Sequence, residues 1–268
     1  MMDNAPPQLF DRRIKRLQRA RIPASYTHPL LDALYERITQ RLTEDITLPF
    51  PRVLATGHGT ITLQHSLQAT HGTDFWLHGE NSPTRAAHLP TPSLCYDEEW
   101  LPFAEESLDL ILSVLQLHWL NDLPGALVQA RHALAEHGLF LGVLFGGATL
   151  YQLRECLMHA ETRLLGGSAP RMIPMLDVKQ AGMLMQRVGY VLPVADTETI
   201  TLLYPDLSTL LQDLHQMGEG NALMQRDTRP IPRHILQEAE HLYRQRFANT
   251  EGLLPATFEI ITLTGWRS

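Results

Sequence analysis

The sequence predicts an α/β fold organised around a doubly wound, mostly parallel sheet, and three observations carry that reading. Residues 108–117 (LDLILSVLQL) form an almost unbroken apolar run, the pattern of a strand buried on both faces of a parallel sheet. From residue 52 onward, short apolar runs alternate with stretches of helical periodicity, as successive βα units do. Glycine and acidic residues then punctuate the ends of those runs, at Gly57-His58-Gly59, Glu80 and Asp97 in succession. Ligands of open α/β sheets bind outside the carboxyl ends of the strands, so this punctuation locates a site as well as a fold.

Taken in order, residues 9–22 (LFDRRIKRLQRARI) place Phe10, Ile14 and Leu17 at helical spacing among Arg12, Arg13, Lys15, Arg16, Arg19 and Arg21. In a chain of net charge −7 this is a local inversion of sign. The stripe predicts a helix lying on the domain by its apolar face, with cations left for solvent or an acidic partner. Residues 29–48 read as a covering helix through Leu31, Leu34, Tyr35, Ile38 and Leu42. Strands follow at 52–56, 74–79, 93–96, 108–117, 138–145, 191–203 and 256–266, with helices at 60–68, 123–137, 149–165 and 177–188. Residues 205–252 are helical and polar, broken at Pro230 and Pro232, and read as an insertion before the last strand that caps the site rim. The expected organisation is therefore N-terminal basic and covering helices over 1–50, and an α/β domain over 51–268 with its insertion at 205–252.

Hydrophobic content of 44% with 19% charged residues is that of a globular chain. The negative balance excludes a general nucleic-acid binder. No leader-like opening and no membrane-length apolar run appear, so a cytoplasmic protein is expected, with at most peripheral membrane association through a partner. Cys95 and Cys156 read as reduced core thiols. No HExxH, CxxC or GxSxG pattern is present, and no metal is expected.

The strand ends suit an adenosyl ligand that carries a carboxylate. Backbone amides of the turn at Thr56, Gly57 and Gly59 would meet the carboxylate, Glu80 the ribose diol, and Asp97 with its neighbour Glu98 the adenine. Gln116 lies at the same rim as His118 and Trp119, where the central strand ends. A dinucleotide enzyme would want a glycine where Thr62 stands. His118, Tyr151 and Glu219 are the candidates for orienting a reacting group, and Trp119, Arg154 and Asn221 for the substrate pocket. Tyr151 and Arg154 are one turn apart and can face one cavity.

Residues 97–127 (DEEWLPFAEESLDLILSVLQLHWLNDLPGAL) resemble the region after the third strand of class I S-adenosylmethionine-dependent methyltransferases. The chain is similar, more narrowly, to the family of NADH dehydrogenase (complex I) assembly factor 5 and its bacterial relatives. The matching stretches run from LFDRRIKRLQRAR through LFGGATLYQLRECL and DLHQMGEGNAL to LLPATFEIITLTGW. The resemblance implies a Rossmann-like, seven-stranded, mostly parallel sheet and S-adenosylmethionine as cofactor. It also implies a protein substrate, a complex I subunit, whose arginine the mitochondrial member hydroxylates and does not methylate. Malonyl-carrier-protein methyltransferases share the central stretch but lack the arginine-rich opening and MGEGNAL; a non-catalytic assembly scaffold is the other alternative.

Two positions depart from the family pattern. Ala55 stands where an acid would meet the cofactor's ammonium group, and Ile61 where a third glycine is expected. Loss of one charge-assisted hydrogen bond costs about 1.5–3 kcal/mol, a tenfold to hundredfold loss of affinity.

Overall fold

Alternating side chains along the strands sort the core into two layers. In a computed structural model of the chain, which describes residues 8–23, 26–46 and 48–268, seven strands form one sheet in the order β3-β2-β1-β4-β5-β7-β6. These are β1 (Arg52–Gly57), β2 (Phe75–Glu80), β3 (Ser93–Cys95), β4 (Leu108–Val114), β5 (Leu134–Phe145), β6 (Val191–Tyr204) and β7 (Leu254–Trp266). Strands β1 to β5 pair in parallel, and β7 is antiparallel to both β5 and β6. On β5, Leu139, Leu141 and Val143 face one layer while Phe140 and Leu144 face the other.

The first layer is covered by helices α2 (Pro29–Gln40), α3 (Thr60–Leu67), α6 (Tyr151–Leu165), α8 (Leu207–Gln216) and α9 (Arg233–Phe247). The second is covered by α5 (Leu123–Ala133) and α7 (Val178–Val188). A short α4 (Pro83–Ala86) follows β2, and α1 (Arg12–Ala20) lies at the rim. Helix starts follow their capping residues: Asp11, Ser82, Asp122, Asp177 and Asp206 each accept a backbone N–H of the first turn. The N-cap of α2, His28, contacts Asp213 at 2.8 Å, and Tyr204 donates to the same carboxylate at 2.9 Å. That triad ties α2 to α8 and β6.

Several sequence expectations shift. The central strand ends at Val114, because Leu115 turns to φ 55° and residues 117–119 form a 3-10 turn. Helix α5 stops at Ala133, and residues 134–137 join β5 because Leu134 pairs directly with Leu108. A π-turn at Arg41–Asp45 ends the covering helix early. Cys156 is buried as expected, but Cys95 is exposed on the edge strand β3. In the segment between β6 and β7, the loop after α8 reaches the rim, with Leu223 bridging Phe10. Helix α9 instead packs on α6 and β7 through Ile235, Ala239 and Tyr243.

The largest departure is α1. Phe10 is buried against Trp119, but Leu17 is 47% exposed, whereas Lys15 and Arg19 have no exposed surface. The helix seats Lys15 and Arg19 as well as Phe10 and Ile14, and of the apolar stripe only Leu17 is left exposed.

Phe258 on β7 is fully buried between α6, α8 and the sheet. Replacing it with alanine is expected to lower unfolding free energy by about 3–5 kcal/mol, read from urea midpoints at unchanged slope.

Candidate functional site

Five strand ends and one loop converge at the rim. At the end of β1, Gly57 holds φ +94°, and a Cβ there would meet the Val114 carbonyl oxygen at 2.1 Å. Gly59 holds φ +70°, and a Cβ there would meet the Tyr35 ring of α2 at 2.1 Å. Both positions therefore require glycine. Between them His58 is buried, its Nε2 without a partner among the described residues. Burial, reinforced by Arg19, Arg85 and Lys15, holds it well below the ordinary histidine value, so it is neutral.

The acids at the strand ends are all engaged by α1. Glu80 accepts from Arg19 Nε at 3.2 Å and Nη2 at 2.6 Å, and from the Asn81 amide at 2.9 Å. Arg85 adds an ion pair to the same carboxylate at 2.9 Å. Asp97 accepts from Arg12 at 2.7 Å and from Arg16. Glu98 accepts from Arg12 and from Asn81 Nδ2 at 2.9 Å. The Gln116 amide, oriented by its partners, donates to Glu98 at 3.1 Å and accepts from Arg19 at 3.2 Å. Residues 12, 15, 16 and 19 fall on one helix face, which is why four cations reach four acids together.

The fourth acid is Glu219, from the loop after α8. It accepts from Lys15 at 3.0 Å and from Trp119 Nε1 at 2.8 Å, and His118 Nε2 lies 3.1 Å away. Lys15 also donates to the Gly218 carbonyl at 2.7 Å and sits 3.9 Å from the Trp119 ring centroid. Burial opposes ionisation of Glu219, but Lys15 and His118 outweigh it and hold the carboxyl at about 2. Burial pulls Lys15 down to about 8 against the attraction of Glu219. His118 is lowered by burial and is neutral, donating through Nε2 while its Nδ1 faces the Phe145 amide at 3.5 Å. Burial lifts Glu98 despite Arg12, whereas Arg12 and Arg19 overcome burial to hold Asp97 and Glu80 low.

Next to Glu219 opens a cavity of about 500 Å³, walled by Trp119, Phe145, Leu150, Leu153, Met175 and Phe258, with Asn221 also on its lining. Tyr151 and Arg154 do not line it. Leu150, Leu153 and Leu157 turn inward along α6, which directs positions 151 and 154 outward. Tyr151 stands edge-on to Phe247 and is 39% exposed, and Arg154 donates to the Gly147 carbonyl. Their predicted place in a shared pocket is therefore corrected. Residues that sequence reasoning did not assign to the site are Arg12, Lys15, Arg16, Arg19, His58 and Asn81; the 12-15-16-19 spacing was the signal for the four cations.

The rat arginine-hydroxylase NDUFAF5, mitochondrial (Rattus norvegicus), is 38% identical over 97% of this chain and 77% of its own length. The chain belongs to the NDUFAF5 family. Within it, residues 54–142 match the family described as methyltransferase domain. A malonyl-[acyl-carrier protein] O-methyltransferase from Xylella fastidiosa (strain M23) is more distant, at 29% identity over 96% of this chain and 88% of its length. Among solved structures, a methyltransferase from Bacillus halodurans C-125 superposes with a TM-score of 0.56 at 12% identity, covering 88% of this chain and 97% of that one. That likeness establishes the class I methyltransferase fold.

With α1 seated, the carboxylates at the rim of this NDUFAF5-family chain are engaged by the chain's own cations. Glu80 already serves two guanidinium groups, Asp97 and Glu98 serve Arg12, and Ala55 offers no acid to an ammonium group. Among the described residues, no three His, Cys, Asp or Glu side chains are grouped to hold a metal ion.

Glu219 sets a pH dependence with a definite sign. Its folded value lies below the ordinary 4.5, so its contribution is complete above about pH 4.5 and lost as pH falls toward 2. Glu219→Gln is expected to cost about 3 kcal/mol at neutral pH and to flatten the acid limb of the stability curve, measured by urea unfolding across that range.

Proposed function

We propose that this protein is an arginine-modifying enzyme that hydroxylates a side chain of a protein substrate, a complex I subunit, during assembly of that complex, one atom of dioxygen entering the side chain while an external two-electron donor reduces the other to water. The supporting observation is the end-to-end match to proteins named arginine-hydroxylase NDUFAF5, at 37–38% identity over 97% of the chain. The rim cavity agrees with such a substrate. An arginine side chain is an apolar stem with a planar cation at its end. Leu150, Leu153 and Phe258 offer walls for the stem, and ionised Glu219 with the Trp119 face offers a seat for the cation. The seat already holds a cation, Lys15, in the arrangement described.

In this reading Glu219 binds the guanidinium, while His118 holds Glu219 in place from the other side and acts as a positioning residue. Asn221 shapes the loop, donating to the Pro170 carbonyl at 2.9 Å and accepting from the Leu223 amide at 3.0 Å. No helix among the described residues is long and apolar enough to cross a membrane. We propose that the protein works in the cytoplasm, with at most peripheral membrane association through its partner.

A second reading, a non-catalytic assembly factor, draws on Ala55 and on the carboxylates taken up by α1. The two separate in cells. Peptide mass spectrometry of complex I subunits should find an arginine bearing one added oxygen atom in wild type. That modification should vanish on deletion of the gene and fall at least tenfold in Glu219→Ala. Its persistence in the deletion strain would sink the enzymatic reading, and normal complex I assembly in Glu219→Ala with the modification gone would separate assembly from chemistry.

A further inference from the structure

Helices of globular proteins bury their apolar face, because charges are costly to remove from water. Helix α1 departs from this: Ile14 packs against Phe10 and Trp119, but Lys15 and Arg19 are fully buried and Leu17 is about half exposed. The surface that receives it is therefore more than a hydrophobic contact. It is a set of polar groups built at strand ends: Glu80, Asn81, Asp97, Glu98 and Gln116.

The match between helix and surface is incomplete. His58 Nε2 at the glycine turn, Asn81 Oδ1 beside Glu80 and Gln18 Oε1 on α1 are buried with no partner among the described residues. A buried polar atom left unpaired is a cost that a better-fitting ligand removes. Asn81 adjoins the carboxylate held by Arg19, and His58 lies in the glycine turn at the end of the neighbouring strand β1, the edge at which a nucleoside binds on this fold.

We propose that α1 and an adenosyl compound exclude one another from a single site. Arg19 holds the Glu80 carboxylate that a ribose diol needs, and Arg12 and Arg16 hold Asp97 and Glu98 at the base-reading end. The guanidinium groups are the chain's own occupant, and a nucleoside enters only as the helix leaves. At its far end α1 is held by the bond from Arg85 to the Ile22 carbonyl at 3.2 Å. Arg85 also pairs with Glu80, so a ligand that takes over Glu80 loosens that tether as well. The inference rests on the methyltransferase fold and not on the arginine reaction, so either can fail without the other.

The test uses the full chain and S-adenosylhomocysteine as probe, by calorimetry and by hydrogen–deuterium exchange. Removing the competing cation in Arg19→Gln should tighten binding about tenfold to a hundredfold over wild type, or make it measurable where wild type shows none. The double variant Arg12→Gln/Arg16→Gln, altered at the less buried positions, should shift affinity in the same direction and guards against a folding defect in Arg19→Gln. Saturating ligand should speed exchange at the amides of residues 12–20 in any form that binds. Greater protection of α1 on binding would overturn the proposal, since the helix would then cover the ligand. Weaker or unchanged affinity in both variants, or no binding in any form at millimolar probe, would overturn it equally.

Discussion

The buried ion pair between Arg19 and Glu80 is the constraint on which the architecture of the rim depends. Two hydrogen bonds of 3.2 and 2.6 Å join side chains that are both almost wholly excluded from solvent. Once Glu80 is buried at the end of β2, its charge must be met, and only a cation of comparable burial can meet it. Arg19 does so, and helical geometry then delivers Arg12, Lys15 and Arg16 to the other acids of the rim. The orientation of α1, the exposure of Leu17 and the burial of Lys15 all follow from that single pairing.

The sheet supplies the platform. Parallel pairing of β1 to β5 brings the ends of β1, β2, β3 and β4 to one edge, so residues far apart in sequence share one surface. The loop after α8 completes it with Glu219, which joins Lys15, His118 and Trp119 in one network. Three donors on one carboxylate keep it ionised in a region where burial alone would protonate it. The apolar cavity beside that network gives the rim two chemically distinct halves, a polar one filled by α1 and an apolar one bounded by Trp119, Phe145 and Phe258.

Family and site pull apart in an instructive way. Kinship to NDUFAF5 extends over 97% of the chain, and the fold is that of a methyltransferase. Yet the glycine turn carries Ala55 in place of an acid, and the acids that remain are paired internally. A fold of this size tolerates such changes because the two apolar layers flanking the sheet supply most of its stability. Rim chemistry is therefore free to diverge while β4 and β5 keep their buried runs.

The positions of the strands along the chain, the acids at strand ends and the covering helices were legible in the sequence, because period-two and period-3.6 hydrophobic patterns report local burial directly. Glu80, Asp97 and Glu98 could be placed at the rim for the same reason: each follows a short apolar strand. Element boundaries drifted where a local conformation intervened, as at Leu115 with positive φ, which ends β4, and at Leu134, which leaves α5 straight into β5. The facing of Tyr151 and Arg154 was misread because the N-terminal start of α6 sets the phase of its turns, and phase depends on how Leu150 enters the core. What only the tertiary structure decided was the partner of each charge. Composition marked residues 12–19 as cationic and residues 97–99 as acidic, but whether opposite charges meet each other or solvent is settled by long-range packing that local periodicity does not encode.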